Sequence, residues 1–169
     1  RMKRLFIIHG WGGYPEEGWF PWLKKETEKL GFKAEILNMP HADHPKIVEW
    51  ISFLKTKVKE LDEETFFVGH SIGCQTILRY VEKEQKKCGG TILVAGWFHL
   101  KLFETEEEKE IAKPWLESPL DLNKIKQQTK NIVAIFSTND PFVPLSDSKL
   151  FEKKLGAKII IEKNKGHFS

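Results

Sequence analysis

Thr65-Phe66-Phe67-Val68-Gly69-His70-Ser71-Ile72-Gly73-Cys74 decides how this chain is read, because it changes character midway. Thr65 to Gly69 is a short apolar run of strand-forming residues, and from Ile72 to Lys86 apolar residues return at helical spacing. The turn between them is Gly-x-Ser-x-Gly. Composition alone produces such a triplet in roughly one chain in twenty of this length, given glycine and serine usage of about 7% each. Between a strand and a helix it has a physical reason. A serine at the apex of so tight a turn takes a strained backbone conformation, and its hydroxyl is pushed clear of the sheet. Side chains two residues to either side would collide, so glycine is wanted at Gly69 and Gly73.

The same alternation extends in both directions. Arg4 to His9, Lys33 to Asn38, Gly90 to Ala95, Asn131 to Ser137 and Lys158 to Glu162 are short runs rich in β-branched and aromatic residues. They are nearly continuous in hydrophobicity, which predicts parallel strands covered on both faces. Between them Gly18 to Leu30, Lys46 to Leu61, Leu122 to Thr129 and Ser146 to Leu155 carry helical period. In the second of these, Ile47, Trp50, Ile51, Leu54, Val58 and Leu61 form one core-facing stripe. Gly31 and Gly156 stand where left-handed helix caps are expected. Strand and helix in alternation predict an α/β three-layer sandwich of right-handed βαβ units. Gly96 to Pro119 breaks the rhythm with a long connection holding the charged stretch Glu104 to Glu110. It is expected to be a small helical cap or lid within one domain spanning 1–169, with a solvated surface helix of no functional role as the competing reading.

Composition narrows the partners. Lysine and arginine number 27 against 24 acidic residues, a net charge of +3 with both signs interspersed, which leaves no concentrated field for nucleic acid or an anionic membrane. Two cysteines, Cys74 and Cys88, are too few for a disulfide framework and match no zinc spacing. No apolar run approaches the roughly 20 residues of a membrane span, and the basic start runs directly into a strand-like segment instead of a signal sequence. The expectation is a cytoplasmic protein with no nucleic acid or membrane as partner, no cofactor and no metal. His41, Asp43 and His44 offer ligand types, but before Pro45 they read as an exposed polar loop.

A serine hydroxyl needs a base to take its proton, usually histidine, whose unperturbed pKa is about 6.5. His167, in Lys165-Gly166-His167-Phe168, follows the last strand on a glycine-containing loop. Where a nucleophile sits on such an elbow, the chain order is Ser, then Asp or Glu, then His. Asp140 closes Ser137-Thr138-Asn139-Asp140 at the end of an intermediate strand and is followed by Pro141, so it is the acid expected to orient His167. Asp147 is the rival, read as an exposed acid in the first turn of the next helix. For an oxyanion, two backbone N–H groups are candidates. One belongs to Ile72, at a helix start. The other comes from His9-Gly10-Trp11-Gly12-Gly13, with Trp11 first and Gly12 as its neighbour. His9 and His70 are expected to satisfy partners in the wall of the site. Trp97 and Phe98, leaving a strand, are candidates to line a substrate pocket together with Gly12, and Cys74 reads as a small buried residue.

With these residues in place, the chain resembles the small serine hydrolases related to retinoblastoma-binding protein 9. The likeness rests on His9-Gly10-Trp11-Gly12-Gly13, Gly69-His70-Ser71-Ile72-Gly73, Ser137-Thr138-Asn139-Asp140-Pro141-Phe142-Val143-Pro144 and Gly166-His167-Phe168, in that order. It implies a minimal α/β-hydrolase fold with a six-stranded parallel sheet, a terminal helix after the histidine loop, and a triad of Ser71, Asp140 and His167. It also implies esterase or amidase activity on small substrates, aminopeptidase-like in some members. Trp11 and Gly96-Trp97-Phe98 are bulkier than that family's pattern. A different class, a protein-interaction module on a retained hydrolase scaffold, is the alternative suggested by loop aromatics and the Glu104 to Glu110 stretch.

Overall fold

In a computed structural model, which describes residues 2–169, the six expected strands form one parallel sheet. They are β1 (Arg4–Ile8), β2 (Lys33–Leu37), β3 (Thr65–His70), β4 (Gly90–Val94), β5 (Ile132–Ser137) and β6 (Lys158–Glu162). Their order across the sheet is β2-β1-β3-β4-β5-β6. The helices are α1 (Phe20–Lys29), α2 (Ile47–Val58), α3 (Ile72–Glu84), α4 (Glu106–Glu117), α5 (Leu122–Gln128) and α6 (Asp147–Leu155). No helix among the described residues is long and apolar enough to cross a membrane.

Chain direction reverses across the sheet between β1 and β3, and this places the site. From β1 the chain crosses through α1 to β2, and from β3 it crosses through α3 to β4, on opposite faces. Phe20 of α1 packs with Leu5, Ile7 and Val68, whereas α3 packs with Phe6, Ile8 and Phe67, residues whose side chains point the other way. Such a divergence opens a crevice at the carboxyl ends of the strands.

The larger core lies between the sheet and α2, α3, α5 and α6. In α2 the predicted stripe is realised, with Trp50, Ile51, Leu54 and Val58 buried. On the opposite face α1 covers β2, β1 and β3, but over the remaining strands Ile92 is 37% exposed and Val133, Ile135 and Ile160 are half-buried.

Gly96 to Pro119 contains α4. Its Thr105 hydroxyl accepts from the Glu108 N–H at 3.1 Å, and the Glu108 carboxylate accepts from the Glu104 N–H at 2.9 Å, so side chains satisfy orphan N–H groups at the helix start. Three glutamates in the first turn suit the positive end of the helix dipole. Ile111, Ala112 and Trp115 bury its inner face, and the Trp115 indole donates to the Pro45 carbonyl at 3.0 Å.

Gly73 shows how tightly α3 approaches β1: a Cβ there would sit 2.7 Å from the carbonyl oxygen of His9. Gly73→Ala is expected to cost about 1–3 kcal/mol through overpacking against backbone. A urea titration should show a lowered midpoint with an unchanged slope.

Candidate active site

Ser71 stands where β3 becomes α3, with φ 55° and ψ −120°. A non-glycine residue there bears strain on the order of 1–3 kcal/mol. Its surroundings determine it from both sides. The Ser71 N–H donates to Val94 at 2.9 Å, carrying the β3–β4 ladder one residue past the strand, and the Ser71 carbonyl accepts from Cys74 at 2.9 Å, opening the helix. A Cβ on Gly69 would lie 2.9 Å from the Cys74 nitrogen. The side chain is thereby left at the lip of the crevice.

From the far side of the sheet the His167 ring meets it, with Nε2 at 3.0 Å from Ser71 Oγ. His167 Nδ1 is 2.8 Å from Asp140 Oδ2. The other carboxylate oxygen of Asp140 accepts from the N–H groups of Phe142 and Val143, at 2.9 and 3.1 Å. A carboxylate only accepts, so His167 Nδ1 carries the proton and Nε2 is left bare to accept from the Ser71 hydroxyl. Burial pushes the Asp140 carboxyl up, but the hydrogen bond and charge of His167, with the two backbone donors, outweigh it and hold the group below its ordinary value. Asp140 is 4% exposed.

The histidine loop is fixed along its main chain. Asn164 N–H donates to Thr138 Oγ1 at 2.9 Å, Lys165 N–H to Ser137 Oγ at 2.9 Å and Gly166 N–H to Asn139 Oδ1 at 2.7 Å. From the opposite wall, His70 Nε2–H donates to the His167 carbonyl at 2.7 Å and the Trp19 indole to the Phe168 carbonyl at 2.8 Å. His70 finds a partner in the wall of the site as its place beside Ser71 leads one to expect, whereas the other anchors went unread in the sequence. The polar run Ser137-Thr138-Asn139 ahead of Asp140 was their only trace.

His9 is fully buried and uses both ring nitrogens. Nε2 accepts from the Met39 N–H at 3.0 Å, so Nδ1 donates to the Gly10 carbonyl at 2.8 Å. This pins the turn after β1. Within that turn the Gly12 N–H is occupied by the Ala42 carbonyl at 2.6 Å, and Gly12 lies outside the cavity wall. Among the described residues no acceptor meets the Trp11 or Ile72 N–H. Those two amides remain free for a ligand.

A cavity of about 320 Å³ opens over Ser71. Gly10, Trp11, His70, Trp97 and Phe142 line its inner part, and Leu100, Leu102, Phe103, Glu104 and Glu108 supply a wall from the 96–119 segment. Trp97 does more than line it: the indole is 1% exposed and its Nε1–H donates to Ser71 Oγ at 3.2 Å. Phe98, expected beside it, turns away and stacks on Phe151 with ring centres 4.5 Å apart. Trp97 therefore reaches Ser71 at the cavity while Phe98 packs on α6. Asp147 also departs from expectation. It is 2% exposed, its Oδ2 accepts from the Phe98 and His99 N–H groups at 2.7 and 2.9 Å, and its Oδ1 pairs with the His99 ring at 2.7 Å. The extended segment leaving β4 reaches down to it, which no helical pattern could reveal.

The model of the serine hydrolase family matches residues 5–169. YdeN of Bacillus subtilis (strain 168) is 36% identical over 168 residues, 98% of this chain and 86% of that protein. Serine hydrolase RBBP9 of Rattus norvegicus is 30% identical over 161 residues, 95% of this chain and 83% of that one. The chain belongs to the serine hydrolase family. The crystal structure of YdeN matches with a TM-score of 0.88 at 34% identity, covering 99% of this chain and 88% of that one. Est1E of Butyrivibrio proteoclasticus, at 15% identity and a TM-score of 0.76, covers 99% of this chain and 80% of its own, and shows likeness of fold alone. The fold of this serine hydrolase is of the α/β-hydrolase type, in the open six-stranded form described above.

Acid is expected to loosen this serine hydrolase from within. Burial first, then the neighbouring His167, pushes the His70 pKa down from 6.5 to about 4, against smaller raising contributions from its bond to the His167 carbonyl and from Asp140, while His9 lowers it further. His9 itself is lowered by burial. Between about pH 6.5 and about 4 the unfolded chain binds a proton that the folded His70 excludes. Stability is therefore full above that window and falls as pH falls through it, by on the order of 3 kcal/mol for His70. Urea midpoints at pH 7 and pH 4.5 should diverge in wild type and diverge less in His70→Gln.

Proposed function

We propose that this serine hydrolase cleaves small ester, thioester or amide substrates through an acyl-enzyme on Ser71. The observation carrying this reading is the continuous hydrogen-bonded line from Asp140 through His167 to the Ser71 hydroxyl. Ser71 Oγ attacks the substrate carbonyl carbon while His167 Nε2 takes its proton. The tetrahedral oxyanion is met by the free N–H groups of Ile72, at the start of α3, and Trp11. Collapse breaks the bond to the leaving group, which departs with the proton from His167, and water repeats the sequence to release the acid. Asp140 keeps the proton on Nδ1 and stabilises the imidazolium. No cofactor enters any step.

The 96–119 segment acts as a cap within a single domain, since it closes one side of the cavity with Leu100, Leu102 and Phe103. Among the described residues, the ionisable ones at the cavity other than the site histidines are Glu17, Glu104 and Glu108, with no lysine or arginine. Such a lining favours neutral or cationic substrates and opposes acyl chains that end in a carboxylate or phosphate. Cys74 and Cys88, both free and buried, fit a reducing compartment, and we place the protein in the cytoplasm.

A fluorophosphonate probe should label wild type and leave Ser71→Ala unlabelled. Equal labelling of both would falsify the assignment, and an inert wild type that captures a stable protein partner would favour a binding role instead. Asp140→Asn is expected to lower kcat by about 10⁴-fold, the loss known when the equivalent change is made in a serine protease. Among p-nitrophenyl esters of matched length, those ending in an ammonium group should show at least tenfold higher kcat/KM than those ending in a carboxylate. An inverted ratio would remove the role given to the glutamates.

A further inference from the structure

In the line from Asp140 to Ser71 the serine hydroxyl gives its proton to a hydrogen bond and keeps both oxygen lone pairs, and one further contact of that oxygen is unexplained. His167 Nε2 accepts the hydroxyl proton. The Trp97 indole, which has a donor and no acceptor, approaches the same oxygen at 3.2 Å. We propose that Trp97 is a catalytic residue of the acyl-transfer reaction above, its indole N–H stabilising the negative charge that builds on Ser71 Oγ. The inference rests on that reading of the site.

The chemistry needs such a donor twice. During acylation the Oγ–H bond breaks toward His167 as the Oγ–carbon bond forms, and the oxygen is richest in charge before that bond is complete. During deacylation the Oγ–carbon bond breaks, the electron pair returns to Oγ, and His167 gives back the proton. A hydrogen bond to an ionised oxygen is about twice as strong as one to a neutral hydroxyl. The Trp97 bond therefore tightens in both transition states and relaxes in the resting enzyme, which is the condition for raising kcat without tightening substrate binding. The indole keeps its own proton throughout. The oxyanion amides act on the substrate oxygen, so the two sets of donors serve different atoms.

The main chain that carries this ring is held both before and after it. Ala95 takes a left-handed φ of 52°, and its N–H is held by Ile135 at 2.9 Å. A Cβ on Gly96 would sit 3.0 Å from the Cβ of Cys74, so the chain passes close over α3. The Trp97 carbonyl accepts from Gln75 Nε2 at 2.9 Å, and Gln75 Oε1 accepts from Arg79 Nε at 3.0 Å. Arg79 in turn donates to the carbonyls of Trp115 and Ser118 at 3.0 and 2.9 Å, at the end of the cap helix. Past the indole, Asp147 holds the next two N–H groups. Gln75 and Asp147 are each 2% exposed. Burying an amide and a carboxylate is costly, and holding Trp97 against Ser71 gives both a purpose as positioning residues.

Trp97→Phe keeps an aromatic ring at the position and deletes the N–H together with the smaller of the two fused rings. The rate constant for phosphonylation of Ser71 by a short-chain alkyl fluorophosphonate should fall about tenfold to a hundredfold. For a p-nitrophenyl ester kcat should fall by a similar factor with KM within about twofold, and the pH profile should keep its midpoint while its plateau drops. Phosphonylation within twofold of wild type, or a loss confined to KM, overturns the inference and leaves the proposed function standing. A wild type that the reagent does not modify overturns the proposed function and this inference with it. If Trp97→Phe fails to fold, Asp147→Asn takes its place: the indole remains but its anchor is weakened, phosphonylation should slow threefold to tenfold, and an unchanged rate counts against the inference.

Discussion

The close approach of α3 to the sheet is the constraint on which the rest of the site depends. With Gly73 packed against the His9 carbonyl and Gly69 against the first turn of the helix, Ser71 has no room for an ordinary backbone conformation and takes φ 55°. That strain is sustained by the β3–β4 ladder on one side and the helix on the other. Because the backbone is fixed, the hydroxyl points at one place, and every other group at the site has been brought to that place.

Bringing the imidazole there is a problem of loop rigidity. Loops are ordinarily the mobile part of a fold, yet His167 has to hold a distance of 3.0 Å to Ser71 Oγ. β5 and β6 are parallel neighbours, so their exits lie side by side. Ser137, Thr138 and Asn139 use this proximity to hold the main chain of 164–166, while His70 and Trp19 hold the two carbonyls that follow. His70 performs this as a neutral donor because its burial keeps a second positive charge away from His167. His70 and His167 thus meet at the crevice, one bracing the other through its carbonyl, while His9 braces the turn after β1.

Polar groups that the proton line does not use form a second structure beneath it. Gln75, Arg79 and Asp147 would be liabilities in an apolar core if they lacked partners, and each is satisfied by main-chain groups of the 97–99 segment, the end of α4, or one another. They join the end of α4 to the main chain of Trp97, whose ring touches Ser71. The wall of the cavity and the nucleophile are therefore parts of one hydrogen-bonded body.

Local physics made much of this legible in the sequence. All six strands and the long amphipathic helices follow from period and composition, and the elbow follows from two glycines around a serine, because each is a property of a few neighbouring residues. Ser71, Asp140 and His167 were readable as candidates since chain order at the ends of parallel strands is itself restricted. Tertiary structure alone decided the rest. The direction of Trp97 toward Ser71 and of Phe98 toward Phe151 depends on a left-handed turn at Ala95, and nothing in an alanine announces one. Asp147 looked like a surface acid on a helix and is buried, because what it binds comes from a segment 48 residues earlier in the chain. Contacts between distant segments are set by how the layers close, and a sequence carries that information only in the sum of its packing.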